Sequence, residues 1–282
     1  MIVGQFILNF NTNLAGKVYK VDIREHHGSL MRMNAIFITG TAGSGKSLLT
    51  ARLLQWYRDN NAYAITLNLD PGAASLPYDP DVDVRNYIDI ATLMESYALG
   101  PNGSLIMASD MIATKLDEIQ KEVDELNPDY LIVDTPGQIE LFAFRASGPY
   151  LAVNLHADNK VTIFAFDGIL VSSPINFVSI SLLASSVKLR LKMTQINVLT
   201  KRDLVTDKVK NIIEWADSSM ALEHVLNSEK DTEYSLLTKD LARSISKGGF
   251  AQSLIAVSSV TMTGMINLAA ALARAINLGE DV

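Results

Sequence analysis

Short unbroken apolar runs alternate along most of the chain with longer stretches of helical period. The runs fall at 34–39, 63–69, 129–134, 160–166, 195–199 and 253–257. Helical stretches lie between them, over 46–59, 105–126, 174–190, 206–217 and 264–278. Continuous apolar runs suit strands buried on both faces, as in parallel sheets covered by helices. The pattern predicts an α/β fold: a doubly wound, mainly parallel sheet flanked by helices, with right-handed crossovers. In such sheets ligands bind beyond the carboxyl ends of the strands. Two stretches exceed the minimal alternation. Residues 71–104 form a long connection carrying Pro71, Pro77, Pro80 and Pro101, and 218–250 carry two further helices before Gly248-Gly249 returns the chain to the core. Both read as helical insertions on one domain, 34–282.

The first run is followed by Gly40-Thr41-Ala42-Gly43-Ser44-Gly45-Lys46-Ser47, a complete G-x-x-x-x-G-K-S phosphate loop in its proper strand–loop–helix setting. Its glycines let successive N–H groups turn inward on phosphate oxygens, and the helix start adds partial positive charge. Gly43, Ser44, Gly45, Lys46, Ser47 and Leu48 are the expected nucleotide-binding set. Lys46 would reach the β- and γ-phosphates and Ser47 would ligate Mg²⁺. The fold expectation narrows to a P-loop NTPase.

Three other strand ends carry chemistry. Asp134 closes the third run in the manner of a Walker B acid, which holds Mg²⁺, often through water. Thr135-Pro136-Gly137-Gln138 follows, giving D-x-x-G, so that Gln138, with Glu140 close by, could orient an attacking water. Asp70, in Asn68-Leu69-Asp70-Pro71, is either a residue on the metal side of the site or the start of an Asp-Pro turn. Thr200-Lys201-Arg202-Asp203 fits [N/T]-K-x-D, the guanine selector. A carboxylate there accepts from N1–H and the exocyclic amine of guanine, which adenine cannot match. The stem of Lys201 can cover the base. Thr200, where Asn is commoner, is expected to weaken one loop-bracing hydrogen bond. Ser258 could close the base pocket.

Composition narrows the function. The 282 residues carry a formal charge of −7, which argues against a nucleic-acid groove. Cysteine is absent, which excludes disulfides, thiolate metal sites and cysteine nucleophiles and fits a reducing, cytoplasmic setting. The longest apolar runs fall short of the roughly 20 residues of a membrane helix, so no membrane partner is expected. Residues 1–33 read either as a leader before a start at Met31 or Met33, or as an appended strand or arm. Ile2–Phe10 is a poor signal peptide, and His26-His27 reads as solvated surface.

Gly100-Pro101-Asn102 alone is a turn tripeptide. Together with the phosphate loop, Asp70-Pro71, Asp134-Thr135-Pro136-Gly137-Gln138 and Thr200-Lys201-Arg202-Asp203, it makes the chain resemble the GPN-loop GTPases from about residue 34 to the C-terminus. The resemblance implies a GTP- and GDP-binding, Mg²⁺-dependent hydrolase working as a homodimer. It implies that Asn102 reaches the γ-phosphate or the attacking water of the other subunit. Asp70 would lie in the outer shell of the metal, and Asp134, Gln138 and Glu140 would position water. It also implies an unidentified protein client, since eukaryotic relatives are linked to RNA polymerase assembly; a compact chain without an acidic tail looks more like the archaeal members. Rival readings are an ATP-using dimeric ATPase of the partitioning type, which has no need of Asp203; a small-molecule kinase, whose lid would be 71–104 with only Arg85 to offer; and a nucleotide-locked adaptor with little turnover.

Overall fold

The computed structural model describes residues 33–228, 233–247 and 253–278. Strand β1 (Asn34–Gly40) leads through a loop into α1 (Lys46–Asp59) and β2 (Ala64–Asn68). A two-residue strand, β3 (Val82–Asp83), is followed by α2 (Ile90–Tyr97), α3 (Pro101–Ile112), α4 (Leu116–Leu126) and β4 (Tyr130–Asp134). The alternation continues with α5 (Ser147–Asn154), β5 (Asn159–Asp167), α6 (Pro174–Leu191) and β6 (Thr194–Thr200). Then come α7 (Val209–Asp217), α8 (Ser219–Ser228), α9 (Glu233–Lys247), β7 (Leu254–Ala256) and α10 (Met265–Leu278).

The seven strands form one sheet in the order β3-β2-β4-β1-β5-β6-β7, and every described pairing is parallel. Successive strand residues point to opposite faces, so each strand feeds two cores. Ile36, Ile38, Ile132, Val161 and Ile163 pack with Leu49 and Leu53 of α1 and Leu268 and Leu272 of α10. Phe37, Leu131, Val133, Phe164 and Phe166 face the opposite layer, which α2 to α9 fill. This is why the strands read as unbroken apolar runs: both faces are dry.

The α/β expectation holds, with the sheet wholly parallel. Three elements were not visible in the pattern. The connection 71–104 contains β3 and α2, whose start Asp89 caps by accepting from Ala91 and Thr92 N–H. Its eight residues bury only Leu93, too little to leave a periodic signature. Helix α5 is similarly short. The stretch 105–126 is two helices rather than one: a 3₁₀ turn, Ala113–Lys115, separates α3 from α4, and Thr114 Oγ donates to Met111 O inside it. Gly100-Pro101-Asn102 is not a free turn either. Pro101 is the first residue of α3, where its fixed φ suits helix initiation and its missing N–H is not needed. The two expected helices of 218–250 are α8 and α9, whereas Gly248-Gly249 and the readings on residues 1–32 lie outside the described residues.

Phe37 on β1 is fully buried and stacks on Phe142, with ring centroids 6.2 Å apart. Phe142 lies in the π-helical turn Glu140–Phe144 that follows the D-x-x-G segment, so this pair seats that segment on the central strand. Phe37→Ala is expected to lower stability by roughly 3–5 kcal/mol, read from urea midpoints.

Candidate functional site

The phosphate loop leaves β1 at the carboxyl edge of the sheet. Gly43 and Gly45 adopt φ of 74° and 87°, a left-handed backbone that a side chain resists. No neighbour crowds a Cβ at either position, so conformation, not space, asks for glycine there. Helix α1 starts at Lys46 and runs 14 residues behind the loop. Lys46 is buried, and its Nζ donates to Gly40 O at 3.1 Å, Thr41 O at 2.8 Å and Gly137 O at 3.4 Å. Burial pulls its pKa down, against the charges of Asp134 and Asp70.

Asp134 ends β4 beside β1, with Ile38 as its register partner. It is 1% exposed. Its Oδ2 accepts from the Tyr78 hydroxyl at 2.9 Å, and its Oδ1 is buried with no hydrogen-bond partner. Burial pushes the carboxyl up to about 6, although the Ser47 and Tyr78 hydroxyls and Lys46 favour the charged form. Burial, with Asp134 adding to it, also drives the Tyr78 phenol far above its ordinary value, so it stays a donor. Asp70 stands two residues past β2. Its Oδ1 accepts from Gly72 N–H at 2.9 Å and its Oδ2 from Gly137 N–H at 3.2 Å. The Gly137 peptide is therefore held at both ends, its carbonyl by Lys46 and its N–H by Asp70. Of the two readings of Asp70, the structure places it in the site and in a turn at once.

No three His, Cys, Asp or Glu side chains converge as a metal cage among the described residues. An orphaned carboxylate oxygen on Asp134 with the Ser47 hydroxyl beside it still suits one kind of ion. Mg²⁺ at nucleotide sites takes one or two protein oxygens and completes its octahedron with phosphate and water. The donor set fits that ion.

At the base end, Thr200 is buried, and its hydroxyl lies 2.7 Å from Ser44 O and 3.0 Å from Phe166 O. This corrects the expectation for threonine: the brace between base loop and phosphate loop is made. Lys201, at φ 55°, extends its ammonium to Asp167 Oδ2 at 2.7 Å. Asp203 is half-buried and accepts no hydrogen bond from any described residue. Ser258 is buried and uses its Oγ to accept from Thr261 N–H, folding the loop after β7 beside Arg202, whose N–H donates to Val257 O.

The remaining candidates lie apart from this cluster. Gln138 and Glu140 are exposed, and Asn102 is exposed in the first turn of α3. Helix α3 nevertheless lies over the Asp70 turn, close enough that a Cβ on Gly72 would stand 2.5 Å from Leu105 Cδ2. Arg85 is engaged: its guanidinium forks onto Asp83 at 2.6–3.1 Å and donates to Ala73 O. Burial works to raise Asp83, yet the Arg85 and Asn68 hydrogen bonds hold its carboxyl below the usual range. A lid arginine would need to be free.

Three side chains that make contacts in or around this cluster escaped the sequence reading. Asp167 had a signal, since Phe164-Ala165-Phe166-Asp167-Gly168 ends a strand in an acid as Asp134 does. Tyr78, between Pro77 and Pro80, had none. Asp110, which receives Arg145 at 2.8 and 2.5 Å and the Ser147 hydroxyl at 3.3 Å, pairs across sequence distance and is invisible to local pattern.

A phosphate loop, an acid at the neighbouring strand end and a T-K-x-D turn on one edge of a parallel sheet define a nucleotide-binding protein of the P-loop class. A family model described as "Conserved hypothetical ATP binding protein" matches residues 38–278. GPN-loop GTPase QQT2 of Arabidopsis thaliana is 34% identical over 214 residues, 74% of this chain and 54% of that protein. GPN-loop GTPase 3 of Eremothecium gossypii is 30% identical over 227 residues, 78% of this chain and 83% of that protein. The crystal structure of a GTPase in apo form from Pyrococcus abyssi matches with a TM-score of 0.76 at 26% identity, covering 88% of this chain and 98% of that one. The chain belongs to the GPN-loop GTPase family. It spans a little over half the length of several curated relatives it matches.

Asp134 sets a pH signature. Its folded pKa of about 6 lies above the unfolded carboxyl near 3.9, so the native state binds this proton more tightly. The stability this contributes is complete below about pH 4 and is lost as pH rises through 6. Asp134→Asn removes the titration. In metal-free protein without nucleotide, the variant is expected to gain about 2 kcal/mol on the parent between pH 4 and 7.5, by urea denaturation.

Proposed function

We propose that the chain binds GTP with Mg²⁺ and hydrolyses it to GDP and phosphate as a homodimeric switch, and that the switch serves the assembly of a protein complex. The observation that carries the guanine reading is the unpartnered Asp203 carboxylate, set on a turn braced to the phosphate loop through Thr200. Lys201 is fixed beside it by Asp167, so its stem is held in place to lie along a base. Relatives named GPN-loop GTPases support the same nucleotide; the family description names ATP, and Asp203 favours guanine over it.

In the mechanism, Ser47 and Asp134 would hold Mg²⁺, which when bound would supply positive charge to the nucleotide phosphates. Lys46 exchanges the Gly40 and Thr41 carbonyls for phosphate oxygens, and Gly137 N–H exchanges Asp70 for the γ-phosphate. Water attacks the γ-phosphorus in line, the bond to the β-phosphate oxygen breaks, the water's proton passes to the released phosphate, and the leaving charge on GDP falls on donors already in place. Gln138 and Glu140, exposed in a single subunit, orient that water once the second subunit covers them, and Asn102 of that subunit supplies a neutral amide able to donate to phosphate and accept from water. Loss of the γ-phosphate frees Gly137 to return to Asp70, and the segment relaxes with it. A cytoplasmic setting suits a protein without cysteine; among the described residues no helix is long and apolar enough to cross a membrane.

Three measurements test this. Asp203→Asn is expected to weaken GTP binding on the order of 100-fold and to favour xanthosine triphosphate, while ATP competes poorly with parent and variant alike; strong ATP competition would support the ATPase reading. Asn102→Ala is expected to slow steady-state GTP turnover on the order of 100-fold with GTP affinity kept. Sedimentation should show the parent as a dimer with a non-hydrolysable GTP analogue; a monomer at full turnover would remove the second subunit from the chemistry.

A further inference from the structure

Tyr78 has no place in the reaction outlined above, yet its hydroxyl donates to Asp134 Oδ2 at 2.9 Å. It comes from the proline-flanked connection Pro77–Pro80, more than fifty residues away in sequence, and is half-buried. The bond engages Oδ2 alone. Oδ1, on the same carboxylate, is buried and left without a partner. A carboxylate with one oxygen tied and the other free has its plane fixed and a single direction in which to bind. Partners of this kind, which hold a ligand's second atom, set the orientation of metal-binding carboxylates.

We propose that Tyr78 is a positioning residue for the metal: its hydroxyl orients Asp134 so that Oδ1 is presented to Mg²⁺ beside Ser47. This rests on the reading of the site as an Mg²⁺–nucleotide site. The connection that carries Tyr78 begins at Asp70, which accepts from Gly137 N–H. The same loop therefore touches the metal acid at one end and the γ-phosphate-sensing glycine at the other. Arg85 separately ties the far end of the loop to Asp83 and Ala73, contacts that Tyr78→Phe leaves in place.

Tyr78→Phe removes the hydroxyl and keeps the ring. Binding of a fluorescent, slowly hydrolysed GTP analogue is titrated first in EDTA and then across a series of MgCl₂ concentrations, with urea midpoints alongside. The parent should bind the analogue more tightly as Mg²⁺ rises. The variant should need about 10-fold more Mg²⁺ for half of that effect, with unchanged affinity in EDTA. Equal Mg²⁺ dependence in parent and variant would overturn the role of Tyr78 while leaving the metal reading intact, and tighter Mg²⁺ binding by the variant would do the same by making the hydroxyl an obstacle. Equal losses with and without Mg²⁺, together with a lowered urea midpoint, would make Tyr78 a merely structural residue. If the parent itself binds the analogue equally well in EDTA and in Mg²⁺, both the metal reading and the proposal fall.

Discussion

A parallel ladder makes every strand finish at the same edge, and that constraint places the whole site. β1 lies between β4 and β5, with Ile38 opposite Asp134 and Gly40 opposite Ala165. Once those registers are set, the loop leaving β1 and the acid ending β4 are neighbours, whatever the lengths of the intervening helices. Asp70 after β2, Thr200 at the end of β6 and Ser258 after β7 join the edge for the same reason. The registers are themselves held by burial on both faces. A one-residue slip would turn Ile36 and Ile38 away from α1 and α10 and put Phe37 in their place.

On its phosphate side the site so built is largely satisfied; among the described residues Ser44 Oγ and Asp134 Oδ1 are its buried exceptions. Lys46 donates to loop carbonyls, Gly137 N–H to Asp70, and the Thr200 hydroxyl to the Ser44 carbonyl. The Lys46 and Gly137 N–H bonds are ones whose acceptors a phosphate oxygen can replace like for like, so their exchange costs little desolvation. Asp134 Oδ1 is different: it is buried and unpaired, which is why burial dominates the pKa of that carboxyl. A cation is the natural complement of such an atom. Asp134 is thus a buried, under-satisfied carboxyl of the kind found at binding sites.

The fold and the phosphate side of the site were legible because they rest on local signals. Unbroken apolar runs reported strands buried on both faces, and the G-x-x-x-x-G-K-S spacing reported a loop whose backbone has few alternatives. Asp134 and Asp203 were legible as acids at strand ends. The rest was not, for two physical reasons. Short elements such as α2 and α5 bury too few side chains to impose a period, and α3 and α4 merged because the turn between them contains no glycine or proline. Partnerships such as Tyr78 with Asp134, Asp167 with Lys201 and Asp110 with Arg145 are made by topology, so no stretch of sequence contains both members.

The last of these pairs bears on how one end of the site could inform the other. Asp110 lies near the end of α3, whose first turn carries Pro101 and Asn102, and Arg145 closes the segment that begins at Gly137. Both side chains are about 40% exposed, so the pair adds well under 1 kcal/mol to stability. Its value is geometric. A bidentate guanidinium–carboxylate contact fixes orientation as well as distance, and the Ser147 hydroxyl at the start of α5 donates to the same carboxylate. Arg190 of α6 braces the segment from the other side through Ala143 O and Phe144 O. A displacement of Gly137 toward a γ-phosphate therefore meets a segment tied to β1 by Phe142, to α6 by Arg190 and to α3 by Arg145. Of these, Phe142 is buried in the core, whereas the Arg145 contact is solvated and can follow a movement without leaving a buried charge unpaired.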